Sequence, residues 1–401
     1  MKKRLRLVGF LALFAALFSS CNDTGSDTET IAFDVQVTMP SGFKPTVFYA
    51  DQTVTITKGA QVYTATTDSL GVAHFTGVIP DVYDIATSWA LSGDEYVSMA
   101  DAEVQNNDVL IAGSLLAQTV VSANAITLST EMSLKQGLLI SKVYYAGRKD
   151  TLNKNYTADQ YIELFNNSDE DICIDSLYFA LLEAESTAAF PASANSSYLY
   201  AKQVFQIPGT GSQYIVKPGA TVLIVNSAIN HYATVTTSID LSGAHFEAKN
   251  IKNNNNPNVP GLNLIHTAYS TVTSMNLLTG GDAGIVLFRT GENVSAWPTT
   301  FKPGATSGSL FMKIPAKTVV DGVECLKNKA TTGPDVATKR LFNYIDAGYK
   351  YINATTGYNG EVVARKKASE SNGRVYLIDT NNSTNDFLVS ATILPGQFLS
   401  E

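Results

Sequence analysis

The stretch Ile31-Ala32-Phe33-Asp34-Val35-Gln36-Val37-Thr38 decides the class of the fold. Its residues Ile31, Phe33, Val35 and Val37 fall on one side of an extended chain, with Ala32, Asp34, Gln36 and Thr38 on the other. A two-residue period of this kind marks a strand with one buried face. Moving outward, Thr53-Val-Thr-Ile-Thr57 and Gln61-Val-Tyr-Thr-Ala-Thr-Thr67 flank Lys58-Gly59-Ala60, which predicts a hairpin. Asp68-Ser-Leu-Gly71 supplies the next turn, followed by strands at Val72-Ala-His-Phe75 and Pro80-Asp-Val-Tyr-Asp-Ile85. Phe75, Tyr83 and Ile85 are expected on the core face, and His74, out of phase with Phe75, in solvent. Leu110 to Leu116 and Ala125 to Leu128 complete the sheets. Short strands at this regular spacing argue an antiparallel sandwich.

Composition agrees. Of 401 residues 45% are hydrophobic and 16% charged, which excludes disorder, because so apolar a chain buries enough surface to offset its backbone entropy. Coiled coils are excluded as well, since Ala, Glu, Lys, Leu and Arg do not dominate. The formal charge of −8 argues against a general nucleic-acid binder. Beyond residue 136 the strand pattern continues with Gly137-Leu-Leu-Ile-Ser-Lys-Val-Tyr-Tyr145, Val216-Lys-Pro-Gly-Ala-Thr-Val-Leu-Ile-Val225 and Gly280-Gly-Asp-Ala-Gly-Ile-Val-Leu-Phe288. Lys217-Pro218-Gly219 has Pro and Gly where a type II turn needs them. Asn166-Asn-Ser-Asp169 and the Asx-rich run Asp379 to Asp386 are loops whose short side chains bond their own backbone.

The first twenty residues read as an address and not as part of the fold. Lys2, Lys3, Arg4 and Arg6 precede the apolar run Leu7 to Phe18, which is too short for a stable membrane span. Ser19-Ser20-Cys21 then resembles the lipobox of bacterial lipoproteins, with Phe18 where Leu is usual; the resemblance implies acylation of Cys21 and anchoring in a membrane. An ordinary cleaved secretory signal is the alternative. Cleavage before Cys21 leaves 24 basic against 36 acidic residues, a net −12. Residues 22–30 form a small, polar, acidic tether. Acidic residues behind the lipid-bearing cysteine resemble the surface-export signal of Bacteroidetes-type lipoproteins, so the expected location is the outer membrane, facing the cell surface, with the periplasmic face as alternative.

Two further resemblances rest on particular residues. Thr67-Asp68-x-x-Gly71-x-Ala73-x-Phe75 followed by Pro80-x-x-Tyr83-x-Ile85 resembles the prealbumin-like, carboxypeptidase-regulatory-like modules that serve bacterial surface proteins as spacers or stalks. Asp159-Gln-Tyr-Ile-Glu-Leu-Phe-Asn-Asn-Ser-Asp169 resembles the signature strand and loop of lamin-tail domains, which are immunoglobulin-like sandwiches. Ile174 to Tyr178, Val216 to Val225, Gly280 to Phe288, and Val362 to Lys366 with Gly373-Arg374 and Asp379 to Phe387 follow in that family's order. The chain is longer than the family pattern, so residues near 180–212, 226–276 and 290–355 are read as insertions, of the length that is usually functional. The whole plan, with Asn253-Asn-Asn-Asn-Pro-Asn-Val-Pro-Gly-Leu262, resembles an uncharacterised Bacteroidetes-type lipoprotein family. The expected fold class is thus all-β: two serial antiparallel sandwiches, a prealbumin-like one at 31–130 and an enlarged lamin-tail-like one at 136–401, behind a signal peptide at 1–20 and the tether.

Chemistry is sparse in this sequence. His231, His245 and His266 share the second insertion with Asp240 and Glu247; imidazoles and carboxylates of this kind can bind a transition metal, and His231, Asp240 and His245 are the candidates, although their spacing matches no metal motif. Scattered surface histidines are the competing reading. Asp379 to Asp386 offers the oxygens Ca²⁺ prefers but lacks the turn glycine and terminal glutamate of an EF-hand, so a turn network with Arg365 or Arg374 on Asp386 is preferred. Glu163 is expected to face outward, and Arg365-Lys366-Lys367 to be a solvated edge. Cys173 and Cys325 either pair in an oxidising compartment or sit as thiols, with Cys173 in an apparently buried strand. Aromatic residues of the insertions, Tyr198, Tyr214, Tyr232 and Trp297 among them, are core or contact surface. There is no GxSxG and no phosphate-cradling loop, hence no catalytic residue and no cofactor. The function expected is a non-enzymatic, lipid-anchored envelope protein that binds a ligand or a partner such as an outer-membrane uptake receptor, with no nucleic acid. The alternatives are a metal-dependent hydrolase with its site in 226–276, and a structural component of surface assemblies.

Overall fold

The computed structural model describes residues 29–59, 61–100, 108–134, 137–183, 190, 197–250, 255–281 and 283–400. The leader at 1–20, Cys21 and the tether up to residue 28 lie outside the described residues.

The first module comprises β1 (Ile31–Thr38), β2 (Thr53–Lys58), β3 (Gln61–Thr66), β4 (Val72–Val78), β5 (Asp81–Leu91), helix α1 (Gly93–Ala100), β6 (Val109–Val120), β7 (Ile126–Ser129) and β8 (Glu131–Leu134). A three-stranded sheet, β4-β1-β7, faces a five-stranded one, β3-β2-β5-β6-β8. Phe33, Val35, Val54, Ile56, Phe75, Tyr83, Ile85 and Ile111 fill the space between them. All pairings are antiparallel except β1 with β7. The β3–β4 turn follows the sequence reading: Asp68 Oδ1 accepts the N–H groups of Leu70 and Val72 at 2.8 and 2.9 Å. Gly71 takes φ +76° there, and a Cβ would stand 3.1 Å from the Val37 carbonyl, so any side chain at this position is strained and crowded. His74 is exposed and bonded to Asp34 at 2.7 Å. Two features go beyond the expectation. The module extends past residue 130, because β8 pairs with β6. Helix α1 interrupts the strands where Ser92 and Glu95 form a reciprocal capping box, the Glu95 carboxylate accepting Ser92 N–H at 2.8 Å.

The second module begins with β9 (Leu138–Tyr144), β10 (Arg148–Lys149), β11 (Asn155–Tyr156), β12 (Tyr161–Asn166), β13 (Ile172–Cys173), β14 (Tyr178–Leu182), β15 (Tyr198–Gln206), β16 (Ile215–Val216), β17 (Thr221–Val225), β18 (Phe246–Asn250) and β19 (Gly261–Thr267). It continues with β20 (Ala283–Phe288), β21 (Thr299–Thr300), β22 (Phe311–Pro315), β23 (Val319–Cys325), β24 (Val362–Arg365), β25 (Lys367–Ser371), β26 (Arg374–Leu377), helix α2 (Ser383–Asp386) and β27 (Phe387–Ser390). Its main sheet runs β23-β20-β14-β15-β19-β18-β17-β12-β9-β24-β27, with β22 and β21 added beside β15. The sheet folds over so that residues from both of its halves share one core, including Ile140, Val143, Ile162 and Ile224 from one and Phe179, Phe205, Ile285, Leu287 and Val323 from the other.

The three long segments read as insertions are not excursions. β15 comes from the first, β18 and β19 from the second, and β21 to β23 from the third. β18 joins β17 and β19 by parallel pairing, which ties the two halves of the sheet together. The strand segment β14 carries alternate residues to opposite faces, so Phe179 and Leu181 enter the main core while Tyr178, Ala180 and Leu182 meet a second core with Val286, Phe288, Leu341, Phe342 and Ile345. Residues 341–345 of the third segment therefore cover the outer face of this half-sheet. Among the described residues no helix is long and apolar enough to cross a membrane.

Candidate functional site

Loops gather where β9 and β17 end and β12 begins. Gln160 donates from its amide to the carbonyls of Tyr145 at 2.6 Å and Leu277 at 3.1 Å, and the Tyr145 hydroxyl accepts Ile352 N–H at 3.1 Å, so segments near 145–160, 226–245, 277–281 and 350–361 meet. Asp159 lies among them, fully buried. Its Oδ2 accepts Ser238 Oγ–H at 2.7 Å and the Tyr144 hydroxyl at 3.1 Å, and Arg148 Nε stands 3.7 Å away. Burial pushes the Asp159 carboxyl up, against the pull of those hydrogen bonds. The Tyr144 and Tyr161 rings are 5.2 Å apart. Four buried polar atoms in this neighbourhood, Arg148 Nε, Asp159 Oδ1, Tyr161 OH and Asn226 Oδ1, have no hydrogen-bond partner among the described residues. Composition and spacing gave no warning of them, because each belongs to a different loop or strand end.

His231 opens a short 3₁₀ turn at the edge of this cluster. Its Nδ1 pairs with the Tyr156 hydroxyl at 2.6 Å and its Nε2 with the Ser227 carbonyl at 3.0 Å, and the ring is buried. His245 Nδ1 accepts Leu223 N–H at 3.0 Å, and Asp240 Oδ1 accepts Ser242 N–H at 2.9 Å. Glu247, buried, accepts the N–H groups of Ala228 and Asn255. The metal set of His231, Asp240 and His245 is therefore not assembled: each side chain is spent on fixing its own loop, and among the described residues no three metal-ligating side chains converge.

Glu163 does not face outward. It forms a buried ion pair with Lys142, while its other oxygen accepts Gly396 N–H at 2.6 Å and the Lys142 ammonium lies 3.9 Å from the Phe398 ring centre. The carboxy-terminal segment thus covers this strand face, which the pattern of the strand alone could not announce. Arg365, read as a solvated edge, is also buried. Nη1 donates to the Ile378 carbonyl at 3.0 Å, Asp379 at 3.1 Å and Asp386 at 3.2 Å, Nη2 to Asp321 at 3.3 Å, and Nε to the Ile140 carbonyl at 3.1 Å. In the Asx-rich run the cation is this guanidinium, as the preferred reading had it; Arg374 instead pairs with Asp169.

Cys173 and Cys325 are free thiols. Cys173 is on the short β13–β16 ribbon and half-exposed, its thiol donating to the Gly211 carbonyl at 3.3 Å. Cys325 is the core thiol, fully buried in β23, where burial pushes its pKa well up. The reading of Cys173 as the buried one is reversed because β13 lies in a peripheral two-stranded ribbon, away from the main sheet.

Residues 217–393 match the DUF4876 family, described as a protein of unknown function. The chain is also similar to the crystal structure of a DUF4876 family protein from Bacteroides thetaiotaomicron, with a TM-score of 0.58 at 24% identity, over 92% of this chain and 98% of that one. That likeness shows a shared fold, and the two findings together support an uncharacterised Bacteroidetes-type family. No curated protein matches the chain. The matched span holds Asp321, Arg365, Asp379 and Asp386, so the charged side chains of the arginine cluster lie inside it.

The DUF4876 span also supplies one side of the seam between the modules. Tyr349 donates its hydroxyl to Asp84 Oδ2 at 2.8 Å, and Asp84 Oδ1 accepts Ala117 N–H at 2.8 Å. Ser114 Oγ donates to the Ala347 carbonyl at 2.7 Å, and the Asn343 amide to the Ser114 carbonyl at 2.9 Å. A cleft of about 20 Å³ opens beside these contacts between Thr55, Thr57, Asp84 and Asn382, Thr384, Asn385. It has room for about one water and none for an ordinary ligand.

Proposed function

We propose that this chain is a lipid-anchored protein of the bacterial envelope, held at the outer membrane through Cys21 and facing the cell surface, that works by binding a ligand or partner and not by turnover. The observation that carries the binding reading is how the chemically capable side chains are engaged. His231 has both ring nitrogens in hydrogen bonds, Glu163 is paired with Lys142, and Arg365 is surrounded by Asp321, Asp379 and Asp386. These groups build loops and sheets, and the same engagement weighs against the hydrolase alternative in 226–276. The anchoring part rests on the basic start, the apolar run and Ser19-Ser20-Cys21. An outer-membrane uptake receptor fits as the partner of such a protein.

Replacing Cys21 by Ser and fractionating cells tests the anchor: the variant is expected in the soluble fraction, and unchanged membrane association would sink the claim. Protease added to intact cells separates surface from periplasmic display. Cross-linking on living cells tests the partner, with an outer-membrane protein as the expected product and only self-products as the result that favours a structural assembly.

A further inference from the structure

We propose that Arg148, Asp159, Tyr161 and Asn226 form a built internal site for ordered water, which acts as a structural part of the loop end of the second module. Buried polar groups in folded proteins are nearly always hydrogen-bonded, to the protein or to internal water. Here Arg148 Nε, Asp159 Oδ1, Tyr161 OH and Asn226 Oδ1 are sealed from bulk solvent and find no partner among the described residues. They are also neighbours. Arg148 Nε is 3.7 Å from the other Asp159 oxygen, and the Tyr161 ring lies 5.2 Å, tilted by 46°, from the Tyr144 ring whose hydroxyl is bonded to Asp159. Asn226 is held beside them, its backbone N–H on Gln160 and its amide N–H on Thr157, the residues that bracket Asp159 in the chain.

The chemistry selects the guest. Asp159 Oδ1 and Asn226 Oδ1 accept, Arg148 Nε donates, and the Tyr161 hydroxyl does either, which complements a molecule that donates two hydrogen bonds and accepts two. A metal ion is disfavoured, because Arg148 already brings a guanidinium to within 3.7 Å of Asp159. Buried waters characteristically make about three such bonds to groups left over by the fold. Water here would link the hairpin bearing Arg148, the start of β12 and the end of β17, adding to the direct bonds that Asp159 makes to Tyr144 and Ser238.

A crystal structure at a resolution that orders internal water tests this directly. Density for water within about 2.7–3.2 Å of at least two of the four atoms is the expected result. A dry site, protein partners on all four atoms, or a metal ion in the density overturns the proposal. In solution, ¹⁷O relaxation dispersion of Tyr161→Phe should show at least one fewer long-lived internal water than the parent chain, with a lower thermal midpoint. A Phe variant with the same count of long-lived water, or one as stable as the parent, counts against the site, because removing a hydroxyl that has no partner would leave water unchanged and relieve a penalty.

Discussion

Arg365 Nη2 lies 3.3 Å from Asp321 Oδ2, and both side chains are almost completely buried. Asp321 belongs to β23, the end strand of one half of the main sheet, and Arg365 to β24 near the opposite end, so this contact closes the folded sheet upon itself. Asp321 also accepts Ile140 N–H at 2.6 Å, and Arg365 reaches the Ile140 carbonyl, so β9 is held by both partners.

Removing the guanidinium should be severe. Arg365→Met leaves the buried Asp321 and Asp386 carboxylates, and the partly buried Asp379, without their cation, and breaking a buried pair of this kind costs about 3–5 kcal/mol. Arg365→Lys should recover little, because one ammonium cannot reach Ile140, Ile378 and the carboxylates as the planar fork does. Urea unfolding of both variants checks this; a Lys variant as stable as the parent would refute the fork argument.

Stability should fall as pH rises from about 4 to 7. Burial pushes Asp321 and Asp386 up to about 7, despite the attraction of Arg365. An unfolded aspartate titrates near ~3.9. Between these values the folded chain keeps protons that the unfolded chain has released, so the stability these groups contribute is complete below about pH 4 and is lost as pH passes through 7. Unfolding free energies from urea titrations at mildly acidic and neutral pH should differ by an amount on the order of 2 kcal/mol, the more acidic condition being favoured. Asp321→Asn should flatten the dependence, and a parent midpoint that rises with pH would contradict the cluster's role.

The seam between the modules should loosen when its hydroxyl is removed. Tyr349→Phe deletes the bond to Asp84 and is expected to cost about 1 kcal/mol, since Asp84 is partly solvated and recovers water. Limited proteolysis near residues 134–138 should become faster. Unchanged cleavage and midpoint would mean that Ser114, Ala347 and Asn343 hold the modules without it.

The two core-domain thiols should differ in reactivity. In a chain carrying Cys21→Ser, native-state alkylation should label the half-exposed Cys173 and leave Cys325 unmodified until the protein unfolds. Mass spectrometry of the labelled peptides decides it, and early labelling of Cys325 would contradict its burial in β23.

The arginine cluster also marks how far local sequence reading reaches. The Asx-rich run and its cation were legible as a turn network, because short polar side chains and the helix cap at Asn382 act within a few residues. The third arm, Asp321, was not, since it arrives from 44 positions away through sheet closure. Glu163 was misread for the same reason: its strand was evident, but the cover provided by Gly396 and Phe398 was not.

By itself the sequence determined the all-β class, the strand alternation of Ile31 to Thr38 and the Asp68–Gly71 turn, because each depends on neighbours in the chain. Only the tertiary structure decided that the long segments become strands of one folded sheet, that Arg365 and Glu163 are buried, that His231, Asp240 and His245 do not converge, and that Asp159 is buried against Tyr144, Ser238 and Arg148. Those outcomes depend on which distant segments share a face, and burial and electrostatics act through space whatever the separation along the chain.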